Sequence, residues 1–157
     1  MANFKTMIRT LMFVFVVLFC ATTFYYYTEQ GNARAEANIP KLPDFEHTNN
    51  QQFIDNVIQC VNYIEHNNTD VYPVNLELLI AQAALESGWG NSRFARVGKN
   101  LFGIRTYDLK EPHMLPSNNP KKWGVKVYSH ECDSVLNYMQ ILNNGGAYEK
   151  YRELMNN

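Results

Sequence analysis

The chain is 157 residues long, 46% apolar and 18% charged, with a formal net charge of −1. That is enough for one domain with a real core outside the N-terminus. The near-neutral balance argues against a non-specific nucleic-acid binder, which would be clearly basic, and the sequence shows no internal repeat or low-complexity tract.

Lys5 and Arg9 precede an uncharged run from Leu11 to Tyr27, LMFVFVVLFCATTFYYY. Basic residues followed by an apolar segment predict a secretory signal or a membrane anchor over residues 1–35. The run is about as long as the shortest helices that span a bilayer. Tyr25, Tyr26 and Tyr27 at its outer end suit a membrane interface. Ala33-Arg34-Ala35 offers an A-x-A cleavage site, and cleavage is preferred over retention as an anchor. Phe19 is too large for the position before a lipidated Cys20. Residues 36–49, EANIPKLPDFEHTN, hold two prolines and little hydrophobic pattern, and read as a linker.

The domain is expected over 50–157. Phe53, Ile54, Val57, Ile58, Val61 and Ile64 fall on one face of a helix over 50–66, capped by Asn50 and ended by Asn67-Asn68-Thr69. Residues 76–86, LELLIAQAALE, are strong helix formers behind the cap Asn75. Apolar residues cover most of that circumference, which predicts a central, buried helix. Gly88 and Gly90 stop it, and Asn91 or Ser92 opens a short helix, SRFARVG. Leu101 to Tyr107 looks extended, and Pro112, Pro116, Ser117, Asn118, Asn119 and Pro120 mark turns. Trp123 to Tyr128 alternates as a strand does, so a small β-hairpin lobe is expected. Cys132, Val135, Leu136, Met139 and Leu142 restore helical spacing over 130–143. Tyr148, Tyr151 and Met155 line a last short helix. The fold class is α+β, mainly helical with a small β-hairpin lobe.

Cys60 and Cys132 could pair in an oxidising compartment. The preferred reading is two small buried thiols on helices. No Cys/His spacing suits zinc, and His47, His66, His113 and His130 are scattered in polar stretches.

Glu86 ends the apolar helix and is followed by Ser87, Gly88, Trp89 and Gly90. The negative end of its helix disfavours a carboxylate, and Trp89 with the buried helix would withdraw it from water. Both effects favour the protonated acid that general-acid catalysis needs. A glutamate against a tryptophan in a hydrophobic pocket is the acid of lysozyme.

The run Ala81-Gln82-Ala83-Ala84-Leu85-Glu86-Ser87-Gly88-Trp89-Gly90, then Ser92-Arg93-Phe94-Ala95 and Asn100-Leu101-Phe102-Gly103-Ile104, closely resembles the β-N-acetylglucosaminidase family of peptidoglycan hydrolases. The likeness is nearest to its Bax-type branch and extends to flagellar-rod muramidases. It continues through Val127-Tyr128-Ser129, Asp133-Ser134-Val135, Tyr138, Ala147-Tyr148-Glu149 and Tyr151-Arg152-Glu153-Leu154. The resemblance implies a lysozyme-like fold, a peptidoglycan partner, and cleavage of the β-1,4 bond after N-acetylglucosamine with Glu86 as acid. Tyr128 matches an aromatic of the family's pattern. Trp89, Phe102 and Tyr107 are candidates to meet sugar faces.

A second acidic group is expected in the β-lobe, with Glu111 the first choice and Asp108 behind it. Asp133 reads better as a helix cap. Family domains often run past the Tyr-Arg-Glu-Leu block, so a C-terminal truncation is one expectation here. The alternative to an active hydrolase is a non-catalytic peptidoglycan-binding or scaffolding module of the same fold. No metal or organic cofactor is expected, no nucleic acid is a partner, and the membrane is one only if the N-terminal segment stays uncleaved. The expected location is the periplasm or cell envelope.

Overall fold

The computed structural model describes residues 2–37, 39–117 and 122–155. The turn expected at Asn118, Asn119 and Pro120 lies outside the described residues, as do the side chains of Lys5, Arg9 and Ala33-Arg34-Ala35. The chain divides into two compact units, Met1–Ile39 and Pro40–Asn157.

The first unit is one helix, α1 (Ala2–Ala37). Within it, Leu11–Gln30 is long and apolar enough to cross a membrane. Phe13, Phe15, Phe19 and Phe24 are all exposed, which is not how the core helix of a soluble domain is built. The segment is compatible with a signal peptide or an anchor.

The second unit is mainly helical, with a small antiparallel sheet. Helix α2 (Asn50–Asn67) buries Phe53, Val57, Cys60, Val61 and Ile64 on one stripe. Its cap is Asn49, whose side chain accepts from the Gln52 N–H, one residue earlier than expected. Helix α3 (Leu76–Ser87) is capped by Asn75 as anticipated. It buries only Leu79, Ala83, Ala84 and Ser87, and Leu85 is 82% exposed, so it is not enclosed on all sides. Helix α4 (Arg93–Gly98) starts from Ser92. Helix α5 (Glu131–Asn144) opens with a capping box, in which Asp133 accepts from the His130 N–H at 2.9 Å. A 3-10 turn, Gly146–Tyr148, leads into α6 (Glu149–Met155).

Among the described residues the β-lobe holds three short strands rather than one hairpin: β1 (Arg105–Thr106), β2 (His113–Met114) and β3 (Gly124–Lys126), in the order β1-β3-β2. Arg105 faces Val125 and Met114 faces Val125 across the two antiparallel ladders. Most of the stretch from Leu101 to Tyr107 is irregular. Its anchor is Asn100, which is fully buried. Its amide donates to the carbonyls of Ile104 and Lys126, and its oxygen accepts from the N–H groups of Phe102 and Ile104. One side chain thus satisfies four backbone groups and ties the sheet to the helices.

Two further expectations are corrected. Cys60 and Cys132 form a disulfide between α2 and α5, where two free thiols were preferred. Each sulfur sits in the packed seam between those helices, at positions where either state would look buried from sequence alone. The stretch 36–49 is not a bare linker along its whole length. Phe45 is in the core and meets Phe53 edge to face at 5.8 Å.

Candidate active site

Glu86 stands in the last turn of α3, and a rigid corner follows it. Gly88, Trp89 and Gly90 all take positive φ, at 58°, 57° and 76°. Glycine does this freely, but a tryptophan there is strained by about 1 kcal/mol or more. The corner is held from both sides. The Ser87 hydroxyl donates to the Ala83 carbonyl and accepts from the Gly90 N–H at 2.7 Å, and Ser92 N–H donates to the Ser87 carbonyl. His47 Nε2 lies 2.9 Å from the Trp89 carbonyl. A Cβ on Gly90 would stand 2.6 Å from the His47 ring, so no other residue fits without displacing it.

The surroundings of Glu86 differ from the expected hydrophobic pocket. The side chain is exposed. The Trp89 ring meets Phe53 edge to face at 5.9 Å and remains 36% exposed. Tyr138 of α5 feels the charge of Glu86. Its phenol is pushed up to about 12, by burial first, then by Tyr148, Tyr151 and the charge of Glu86. At neutral pH it is therefore a proton donor, and it donates to Gln82 Oε1. Gln82 lies one turn before Glu86 on the same stripe of α3. Glu86, Gln82 and Tyr138 therefore form one polar edge, backed by Phe102, which stacks on Tyr138 with ring centroids 4.1 Å apart.

Glu111 sits in the loop that joins β1 to β2, and its side chain reaches Thr106 of β1 and Lys126 of β3. Its Oε2 accepts from Thr106 Oγ1 at 2.9 Å and lies 3.5 Å from Lys126 Nζ. Tyr128 is beside it: burial raises that phenol above its usual range, with Glu111 and then Asp133 adding to the effect. Tyr128 donates to Asn137 Oδ1 at 2.8 Å. Asp108 is occupied in the turn, where its Oδ1 accepts from the Lys110 N–H and its carbonyl from the Glu111 N–H.

The charge of Glu86 bears on Tyr138 and that of Glu111 on Tyr128, and Tyr128 donates to Asn137, the residue before Tyr138 in α5. Of the candidate sugar contacts, Tyr107 is 73% exposed and free to offer a face, and Tyr128 is half-buried. Phe102 is only 8% exposed and stacked on Tyr138, so it backs that phenol and offers little face of its own. Sequence reasoning missed Gln82 and Tyr138 as site residues. The four-residue spacing from Gln82 to Glu86 was a usable signal. Tyr138 gave none, because it sits among core positions of an amphipathic helix.

Residues 63–157 match the family model described as Mannosyl-glycoprotein endo-beta-N-acetylglucosaminidase. The chain is 34% identical over 85 residues to "Protein bax" of Escherichia coli strain K12, a match covering 54% of this chain and 28% of that protein. A 37-residue stretch is 49% identical to a "Putative endo-beta-N-acetylglucosaminidase" of Streptococcus pneumoniae, covering 24% of this chain and 6% of that protein. The chain thus spans less than a third of the length of these relatives. No solved structure matches it significantly.

Proposed function

The chain belongs to the glucosaminidase family, and from that premise we propose that it is an exported peptidoglycan hydrolase that uses Glu86 as general acid. In this reading it has a lysozyme-like fold and cuts the β-1,4 bond after N-acetylglucosamine. The observation that carries it is the edge formed by Glu86, Gln82 and Tyr138 on a rigid corner, within the residues that match the family.

Glu86 would give its proton to the leaving glycosidic oxygen. Gln82 and the Tyr138 phenol would hold sugar hydroxyl or acetamido groups at that edge. The exposure of Glu86 has a consequence for the mechanism. The free protein does not keep this carboxyl dry, so the seated glycan must exclude the water. Tyr107 and Trp89 would supply apolar faces for that purpose. Glu111, held by Thr106 and Lys126, is the group proposed to take the proton of the attacking water.

The disulfide supports an oxidising location, because such bonds persist outside the cytoplasm. With the apolar segment Leu11–Gln30 it favours the periplasm or cell envelope. We assign residues 1–35 to export or anchoring, with the folded domain following.

The test is incubation of the full chain with purified sacculi and mass spectrometry of the borohydride-reduced products. Fragments ending in reduced N-acetylglucosamine are expected, and Glu86→Gln should release none. Fragments ending in reduced N-acetylmuramic acid would make the protein a muramidase. The exposure of Glu86 also favours one other reading, a binding or scaffolding module of the same fold. Saturable attachment to sacculi without any released fragment would establish that reading instead.

A further inference from the structure

A cavity of about 360 Å³ opens between the strap Phe45–Thr48, α4 and the start of α5. Neither Glu86 nor Glu111 lines it, but Gly90 and Asn91, from the corner after Glu86, form part of its wall. Its charges are of both signs. Lys99 and the buried Glu131 satisfy each other at 2.8 Å. Arg96 and Glu46 also line it, and among the described residues neither side chain has a hydrogen-bond or ion-pair partner.

Both are exposed, so each is solvated in the free protein and open to a ligand, and a guanidinium matches a carboxylate or phosphate. A carboxylate matches an ammonium group. Lys99 is taken by Glu131, which leaves Arg96 balanced by Glu46 in the wall, a poor match for a polyphosphate or an anionic lipid. A sugar is disfavoured as well. Phe45 is buried, and His47 is engaged with Phe53 and the Trp89 carbonyl, so the cavity presents no free ring face for stacking. What remains is a small ligand that carries both charges.

We propose that this cavity binds a short peptide bearing carboxylate and ammonium groups, and that it receives the stem peptide attached to the glycan. The second half of that statement rests on the peptidoglycan reading above. The first half does not. A peptide seated here bears on Gly90, whose N–H is bonded to the Ser87 hydroxyl beside Glu86. It would therefore set the register of the attached glycan against the proposed acid. Recognition would be of the peptide-bearing strand and not of bare polysaccharide.

The experiment uses the full chain in a mild detergent, titrated with a free muropeptide stem tripeptide that ends in diaminopimelate and followed by NMR and calorimetry. Saturable binding is expected, weakened about tenfold or more by Arg96→Glu and by Glu46→Lys. Both residues lie at the surface of the cavity, and circular dichroism checks that each variant folds. The ratio of turnover on peptide-bearing strands to turnover on amidase-stripped strands should fall in the same variants. No saturable binding by the unaltered protein overturns the proposal, and so does binding that neither variant weakens. Peptide binding with no hydrolysis of either strand would sink the hydrolase reading and leave the cavity's role standing. Hydrolysis without peptide binding would do the reverse.

Discussion

The corner after α3 and the β-lobe each present a proposed catalytic carboxylate, but they are built in opposite ways. The corner has three consecutive residues with positive φ, a buried serine that bonds both ways, and a histidine packed against its glycine. Almost nothing in it can move independently. The lobe has strands of two and three residues, and its carboxylate is held by one threonine and one lysine. Such short ladders have little stability of their own. They depend on Asn100, which joins them to the helices. The difference is one of support. The backbone beneath Glu86 is fixed while its side chain is exposed, and Glu111 is held by side chains on an element that depends on its anchor.

The largest expected effect falls on the frame from which both regions hang. The disulfide closes a sequence separation of 72 residues between α2 and α5. Replacing both Cys60 and Cys132 with serine should cost about 4 kcal/mol of unfolding free energy, read as a lowered urea midpoint. An unchanged midpoint would mean that packing alone holds these helices. Next comes Glu111→Gln. If the lobe delivers the base, turnover should fall by about a hundredfold, whereas a solvated turn residue would leave the rate unchanged and remove Glu111 from the mechanism.

Gly90→Ala probes the stiffness of the corner. The new methyl meets the His47 ring in a backbone conformation that disfavours it, and should destabilise by about 2 kcal/mol. The same substitution at Gly88, where nothing lies within 4 Å, carries only the cost of its positive φ and should be milder. Equal losses at the two positions would contradict the close packing of His47 on the corner.

The smallest effect is alkaline. The Tyr138 phenol ionises at about 12 in the fold, against 10.0 when unperturbed. The unfolded chain therefore releases this proton first, and stability is present below about pH 10 and lost as pH rises towards 12. Tyr138→Phe should lessen that loss without abolishing it, because Tyr128 is raised too. Urea midpoints at about pH 9 and about pH 11 would show it. An identical alkaline slope in the variant would detach Tyr138 from the effect.

The helices were legible because their caps and apolar stripes are local. Asn75, Ser92 and Asp133 announce their elements within four residues. The sheet was less so, since Arg105, Met114 and Val125 come together only through loops whose closure no short window records. The buried seam at Cys60 and Cys132 read in favour of two thiols, because burial suits either state and the sequence does not carry the distance between them that makes the bridge. Glu86 stood out by its place between an apolar helix and a glycine corner. Its exposure did not, because burial depends on what α5 and the lobe leave open above it. Phe102 and Tyr138 exchanged their expected prominence for the same reason: stacking put one ring beneath the other.

The central claim is that Glu86 gives a proton to the departing sugar oxygen, and a leaving group that needs no proton tests it most directly. Glu86→Gln should be compared on a glycan strand and on a 2,4-dinitrophenyl N-acetylglucosamine oligosaccharide. The account predicts a loss of about a thousandfold on the glycan and little loss on the activated substrate. Equal losses on both, or none on the glycan, would contradict it.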